Sequence, residues 1–355
     1  MKLRSANDTW TYLKNLNKPI CMYGMGNGAD KILRVLDEKG IEIADFFASD
    51  GFVRGHTFHS KKVLSYSETK EKYPDFAVVL AFGSSLPDVM ENFYRISNEK
   101  ELVAPDVPVC GGELFDHDFF IHHEAEIDRV YSSLADERSK EVFSNVIDFK
   151  YSGNISYLGG DDAGREDVLC GILSPKDYRI TADLGAYNGD TARELLSVTD
   201  SVEKIYAIEP DKRSYKKLTT FITESRLEGR VIPIFAAAGE KDGEGLFSSE
   251  GNRNSGLSEK GKDTIIIRSV DSISRGEKLD MIKYDVEGAE KGAILGSIEQ
   301  IREHKPDLIV SVYHRSEDIF ALPCLINSIC PEYKLYMRRE RYVPAWDVEL
   351  IATVK

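Results

Sequence analysis

The chain lacks the features that would tie it to a metal finger, a disulfide scaffold, a bilayer or a nucleic acid. Its five cysteines, Cys21, Cys110, Cys170, Cys324 and Cys330, are scattered and form no C-x-x-C pair. That argues against the common zinc and dithiol motifs and fits reduced, mostly buried thiols in a cytosolic protein. No apolar run approaches the roughly 20 residues that cross a bilayer. The opening residues, Met1-Lys-Leu-Arg-Ser-Ala-Asn-Asp8, lack a secretory signal's apolar segment. The expectation is a cytoplasmic protein with no membrane span. Positive charge is scarce: 46 Lys and Arg against 60 Asp and Glu give a net charge of −14. Neutralising phosphates takes clustered Lys and Arg, so this balance argues against a general nucleic-acid surface. Internal repeats at solenoid periods and low-complexity tracts are also absent.

What the chain has is an alternation of strands and helices. Its 355 residues, 42% hydrophobic and 30% charged, suffice for two ordinary cores. Pro19–Tyr23 reads as a strand and Gly24-Met-Gly26-Asn-Gly28-Ala29 as a glycine-rich turn. Asp30–Lys39 reads as a helix stopped at Gly40, with further strands at Ile41–Phe47 and Phe76–Phe82. Residues 1–105 therefore read as a small Rossmann-like α/β domain. Residues 106–175 read as a linker (DVPVCGG, 106–112) and a bridging segment. Its stretch 113–150 is helical, with strong helix formers at Leu134–Phe143.

From 176 to 355 the alternation resumes. Strands are expected at 179–184, 204–208, 231–237, 280–285, 307–313, 333–338 and 348–354, and helices at 190–197, 211–224, 288–302 and 317–329. Only a polar stretch joins the last two strands, so an antiparallel pair at the sheet edge is expected.

Three of these strands run into acids. Asp183-Leu-Gly185-Ala186-Tyr187-Asn188-Gly189-Asp190-Thr191 follows the first, Glu209-Pro210 the second, and Lys283-Tyr-Asp285-Val-Glu287-Gly288 the fourth. Parallel strands end at one edge, and ligands bind there where strand order reverses. Asp183, Glu209 and Asp285 should therefore converge on one crevice. Gly185 and Gly189 permit a tight turn and a close backbone approach to a ligand. The loop is not the G-x-G-x-x-G that seats a pyrophosphate on a helix N-terminus, and carboxylates at both its ends would repel one. They suit the ammonium and sulfonium of a methionine-type ligand, although Asp190 with Thr191 also reads as a simple helix cap.

Glu209 is placed to accept hydrogen bonds from both hydroxyls of a ribose, as it would be in nicotinamide enzymes too. Phe235-Ala-Ala237-Ala reads as the third strand's end, with room for an adenine ring at Ala237 or with ordinary strand packing. A ligand with hydroxyls and positive charge fits the whole edge, and S-adenosylmethionine has both. Lys283 and Asp285 share a face at the strand period of 2. His314 ends the next strand at the same edge. Its imidazole reads as a base for a hydroxyl proton or as a supporting histidine. Glu287 reads as an active-site acid or as a first-turn helix acid.

DLGAYNGDT, AIEPD, AAAGEKDGEG, KYDVEGAE and SVYHRSED occur in the order and spacing of FkbM-type methyltransferases. Residues 180–355 resemble that family, and the LADERSKEVF helix is similar to its two-domain members. The resemblance implies a seven-stranded Rossmann-like methyltransferase domain, S-adenosylmethionine as cofactor, and methylation of a hydroxyl on a sugar or natural-product acceptor. It implies that Asp183, Gly185 and Asp190 cradle the methionine part, that Glu209 binds ribose, and that Asp285 and Glu287 sit near the methyl group or acceptor. The chain departs from the family at Phe235–Ala238, where members often carry an acidic or polar residue. The implied reaction is in-line displacement, and positioning of the reactants supplies roughly 7–11 kcal/mol. The Gly/Ser-rich stretch 247–262 is a candidate lid.

The N-terminal Gly24-x-Gly26-x-x-Ala29, with Asp45 or Asp50, matches the permissive dinucleotide fingerprint. It leaves open an NAD(P) site, a nucleotide-sugar site, or a structural domain that supports a homodimer. His117, His122, His123 and Glu124 read as a polar cover rather than a metal site, so no metal is expected. A non-catalytic nucleotide-sensing scaffold is the remaining alternative.

Overall fold

A computed structural model describes residues 1–53, 55–160, 165, 167–248, 256–257 and 263–355. After a short helix at Thr9–Lys14, the sheet of the first unit begins with β1 (Ile20–Tyr23), whose four residues are all buried. Strands covered on both faces need such continuous apolar runs. Gly26 (φ +104) turns the chain directly into α1 (Asn27–Lys39), so this helix starts three residues before the predicted Asp30. It stops at Gly40 in the left-handed conformation. Ile41 closes the helix end by donating to the Leu36 carbonyl, which shortens the predicted strand 41–47 to β2 (Asp45–Ala48). β3 (Leu64–Ser65), β4 (Ala77–Leu80), α2 (Pro87–Glu99) and β5 (Leu102–Val103) complete a parallel sheet of order β3-β2-β1-β4-β5.

The bridge is two helices rather than one run, α3 (His117–Ser133) and α4 (Glu137–Ser152). The break lies at Asp136, whose side chain accepts the Ser139 N–H and caps α4. Near the far end of α4, Lys150 and Asp106, 2% and 6% exposed, form a buried ion pair at 2.8 Å. It pins the start of the linker to the helix. Breaking one side of a buried pair strands the other charge in the interior. Lys150→Met should therefore lower stability by about 3–5 kcal/mol, read as a shifted urea midpoint at unchanged slope.

The second unit is built on β6 (Ile180–Leu184), α5 (Asp190–Val198), β7 (Lys204–Ile208), α6 (Lys212–Glu224) and β8 (Val231–Ile234). The third strand ends at Ile234, short of the predicted 237. β9 (Ala237–Ala238) instead pairs with a small separate sheet made of β10 (Gly243–Ser248), β11 (Gly256–Leu257) and β12 (Asp263–Arg268). The candidate lid 247–262 lies largely outside the described residues. The main sheet continues with β13 (Met281–Tyr284), and the predicted helix 288–302 is two short ones, α7 (Glu290–Leu295) and α8 (Ile298–Glu303). Then come β14 (Asp307–Ser311), α9 (Asp318–Ile329), β15 (Lys334–Arg339) and β16 (Val348–Thr353).

The seven-stranded order is β8-β7-β6-β13-β14-β16-β15, with β16 antiparallel to both its neighbours. The antiparallel edge pair of the sequence reading is there. Strand order reverses between β6 and β13, which places the crevice at their carboxyl ends. The fold is α/β: a seven-stranded Rossmann-like unit joined to a smaller Rossmann-like one by a helical bridge. Among the described residues no helix is long and apolar enough to cross a membrane.

Candidate active site

The crevice starts where β6 and β13 meet. Gly185 has φ +85, and a Cβ there would lie 1.8 Å from the Asp285 carbonyl oxygen. Only glycine lets the two strand ends close to this distance. The N–H groups of Gly185 and Ala186 both donate to the Ile208 carbonyl at 2.9 Å, which brings the loop against the end of β7. Tyr187 (φ +44) and Glu287 (φ +51) are non-glycine residues with positive φ on the two crevice loops, a form of strain that clusters at functional sites.

Glu209, 6% exposed, accepts the N–H of Tyr187 and the N–H of Asp211, each at 2.8 Å. A carboxylate has about four acceptor positions, so two stay available for a pair of ligand hydroxyls. Burial pushes its carboxyl up to about 7 despite those two donors. Pro210 leads into Asp211, the side chain that caps α6. Asp183 is 1% exposed, and neither of its carboxylate oxygens has a hydrogen-bond partner. Burial raises its pKa to about 6, against the pull of Lys283. A buried carboxylate left in this state is costly, and an ammonium-bearing ligand would relieve it. The Asn188 Oδ1 is also buried without a partner.

Asp190 is exposed at the start of α5 behind the N-cap Gly189, and its Oδ1 accepts the neighbouring Thr191 N–H. Ala237 lies past the end of the third strand, 4% exposed, and clusters with Phe247 and Ile265 in the small sheet.

The second group lies past β13. Lys283 Nζ is 3.3 Å from Asp285 Oδ2 and 3.9 Å from Asp183 Oδ1. Burial alone would lower its pKa, but the two carboxylates outweigh it and hold the ammonium charged. Asp285 would be raised by burial, yet Lys283 and His314 keep it below the usual range. Glu287, with 29% of its side chain exposed, is raised by burial in spite of the nearby His314.

Of the two sequence readings of His314, a base or a supporting histidine, its surroundings favour the second. It is fully buried at 0% exposure. Nδ1 is 3.0 Å from Glu290 Oε1, and Nε2 is 3.3 Å from Glu287 Oε2 and 3.7 Å from Asp285 Oδ1. Burial would favour the neutral ring, but Glu290 and Glu287 win and raise its pKa well above the ordinary histidine value. These carboxylates favour the charged form of the ring.

Among the described residues, Asp285, Glu290 and His314 are the acids and histidine that come together, with ligand atoms within 4.8 Å of one another. Glu290 Oε1 is already engaged, accepting the N–H groups of Val286 and Gly288. The histidines of the bridge do not converge: His117 meets the Tyr151 hydroxyl at 3.1 Å, and His123 meets Glu126 at 2.6 Å.

Three residues at this site lie outside the sequence-based set. Glu290, 1% exposed, closes the motif KYDVEGAE and was legible there as a first-turn acid. Cys110 donates its N–H to the His314 carbonyl at 3.1 Å. Arg315 Nε donates to the Gly288 carbonyl at 3.0 Å. Cys110 lies 204 residues from His314 in sequence, and no local pattern announces that contact.

In the first unit, Asp50 gives both carboxylate oxygens to Ser67, and Asp45 binds Lys72 and Tyr73. Both acids proposed for a dinucleotide ribose are thus engaged by the protein's own groups.

Residues 183–344 match the methyltransferase FkbM domain. No curated protein matches the chain. Among solved structures, an FkbM methyltransferase from Methylobacillus flagellatus is 21% identical, over 94% of this chain and 90% of that one, with a TM-score of 0.74. The shared fold thus includes both sheets and the bridge. Fainter likenesses are too weak to bear on function. An rRNA methylase from Streptococcus thermophilus is 14% identical over 50% of this chain and 87% of its own, with a TM-score of 0.34. The Aeropyrum pernix fibrillarin bound to S-adenosyl-L-methionine is 14% identical over 53% and 73%, with a TM-score of 0.34. Residues 183–344 thus match a methyltransferase FkbM domain, and the fold around them is shared along 94% of the chain.

Proposed function

We propose that the chain transfers the methyl group of S-adenosylmethionine to a hydroxyl of a sugar or other small-molecule acceptor. The observation that carries this reading is the pair of acids at one sheet edge. Asp183 has two unpartnered, buried oxygens, and Glu209 already holds two backbone donors with acceptor positions to spare. The first suits an ammonium and the second a ribose. Gly185 and Gly189, both at positive φ, let the loop between the acids pack tightly, Gly185 against the Asp285 carbonyl and Gly189 against Phe221. S-Adenosylmethionine bound there supplies an electrophilic methyl group on a sulfonium.

The chain's own residues position the acceptor and remove its proton. Glu287 is the base in this reading. It is partly exposed, and burial tunes it upward, toward the pH at which a carboxylate is most useful as a base. His314 is a positioning residue: its Nε2 faces the Glu287 carboxylate at 3.3 Å and acts on it through charge. Lys283 and Asp285 fix the local charge.

A methyl-labelled donor incubated with a panel of hydroxyl acceptors tests the proposal. Label recovered as an ether supports it. Label recovered only on nitrogen or carbon sinks O-methylation while leaving methyl transfer intact.

Cofactor affinity should depend on pH. Asp183 and Glu209 have pKa values raised to about 6 and about 7, so each holds a proton below that value in the free protein. An ammonium favours the ionised form of Asp183. Binding therefore weakens as pH falls through 6, by up to about tenfold per unit for one linked proton. S-Adenosylhomocysteine affinity measured from pH 5 to 8 should rise, and a flat profile would remove Asp183 from the contact.

A further inference from the structure

A cavity of about 320 Å³ opens at the carboxyl edge of the first sheet, a region none of the methyl-transfer argument uses. It lies where β1 and β4 meet and strand order reverses. Open α/β sheets receive ligands at such points, and the volume is that of a small-molecule pocket. Asn27 and Lys31 of α1 form one wall, Phe82 the floor, and the segment Pro105–Val109 another wall. The roof comes from the other unit: Pro344 and Trp346, in the turn between β15 and β16. That roof is fixed in place. Ser84 and Val343 exchange backbone hydrogen bonds of 2.9 and 3.1 Å.

The lining is apolar and flat-faced, with Phe82, Pro105 and Trp346. Its charged member is Lys31, whose ammonium donates to the Val109 carbonyl at 2.8 Å. A dinucleotide does not suit this place. Asp45 and Asp50, on the ribose side, are bound to Lys72, Tyr73 and Ser67, and the cavity lies on the opposite side of β1.

We propose that this cavity binds a small, flat, largely apolar acid, with its ring system against Trp346 and its single anionic group toward Lys31. Aromatic faces stack on such rings, and a charge-assisted hydrogen bond orients the acid. The site is wired to the methyltransferase centre. Val109 in its wall precedes Cys110, which is bonded to the His314 carbonyl, and the Cys110 sulfur would lie 2.0 Å from a Cβ at Gly288. The cavity wall is thus one residue from a contact with the turn that carries Glu287.

The probe is 1-anilinonaphthalene-8-sulfonate, a flat aromatic acid, titrated into the full chain with S-adenosylhomocysteine saturating. The expected result is saturable one-to-one fluorescence enhancement. It should weaken at least tenfold in Val107→Trp, which fills the cavity, and in Asn27→Trp, which blocks it from an exposed position that the fold tolerates. Lys31→Met should also weaken it, and unchanged affinity in that variant overturns the anionic end. Enhancement that is absent, that fails to saturate, or that both tryptophan variants leave unchanged overturns the site.

Discussion

Glu287→Gln lowers kcat by roughly 10²–10⁴, the usual worth of a positioned acid–base group, while S-adenosylhomocysteine binds as before. The amide keeps the shape of the side chain but cannot take a proton. The wild-type rate should rise with pH along an acid limb set by Glu287, whose pKa lies above the ordinary carboxylate value because of burial. The sign follows from the role: the base works ionised, so activity is lost as pH falls through that raised value. In Glu287→Gln the limb disappears. His314→Gln gives a different signature, since the imidazolium lowers the Glu287 pKa. Removing it moves the limb to higher pH without abolishing it. An unmoved limb in His314→Gln, or an unchanged kcat in Glu287→Gln, would end this assignment.

Gly185→Ala abolishes cofactor binding, with an expected loss of at least a hundredfold. The added methyl group would sit 1.8 Å from the Asp285 carbonyl oxygen, and the residue has φ +85. The backbone conformation alone costs about 1–2 kcal/mol in a residue with a side chain. The clash adds to that and forces β6 and β13 apart at the crevice. Gly26→Ala is the matched control: it also has positive φ, but nothing lies within 4 Å of its Cβ. It should lose some stability and no S-adenosylhomocysteine affinity. Equal affinity in Gly185→Ala and wild type would show that the ligand does not depend on this closure.

The strand ends were legible because apolar runs that stop at acids mark the edge of a parallel sheet. Asp183, Glu209 and Asp285 could be put on one side of the fold for that reason alone. Depth was not legible. Period-2 alternation says which edge His314 reaches, but not that Glu290, Glu287 and Asp285 surround it and leave it fully buried. Its charge preference follows from those neighbours, so the sequence alone could not choose between a base and a supporting histidine. The small sheet around Ala237 was also hidden. Its pairing partner β12 is distant in sequence, and two residues of strand carry no periodicity. The five-stranded order of the first unit was missed in the same way, since β3 and β5 are two residues each. Cys110 shows the limit most plainly, as its contact with His314 is set by how the linker packs across the crevice.

Calorimetric titration with S-adenosylhomocysteine, wild type beside Glu209→Ala, tests the central claim most directly. The expected result is one micromolar site in the wild-type chain and no measurable binding in the variant, with both proteins folded. No binding to the wild type, or equal binding to both, would contradict a methyl-donor site at the Asp183–Glu209 edge.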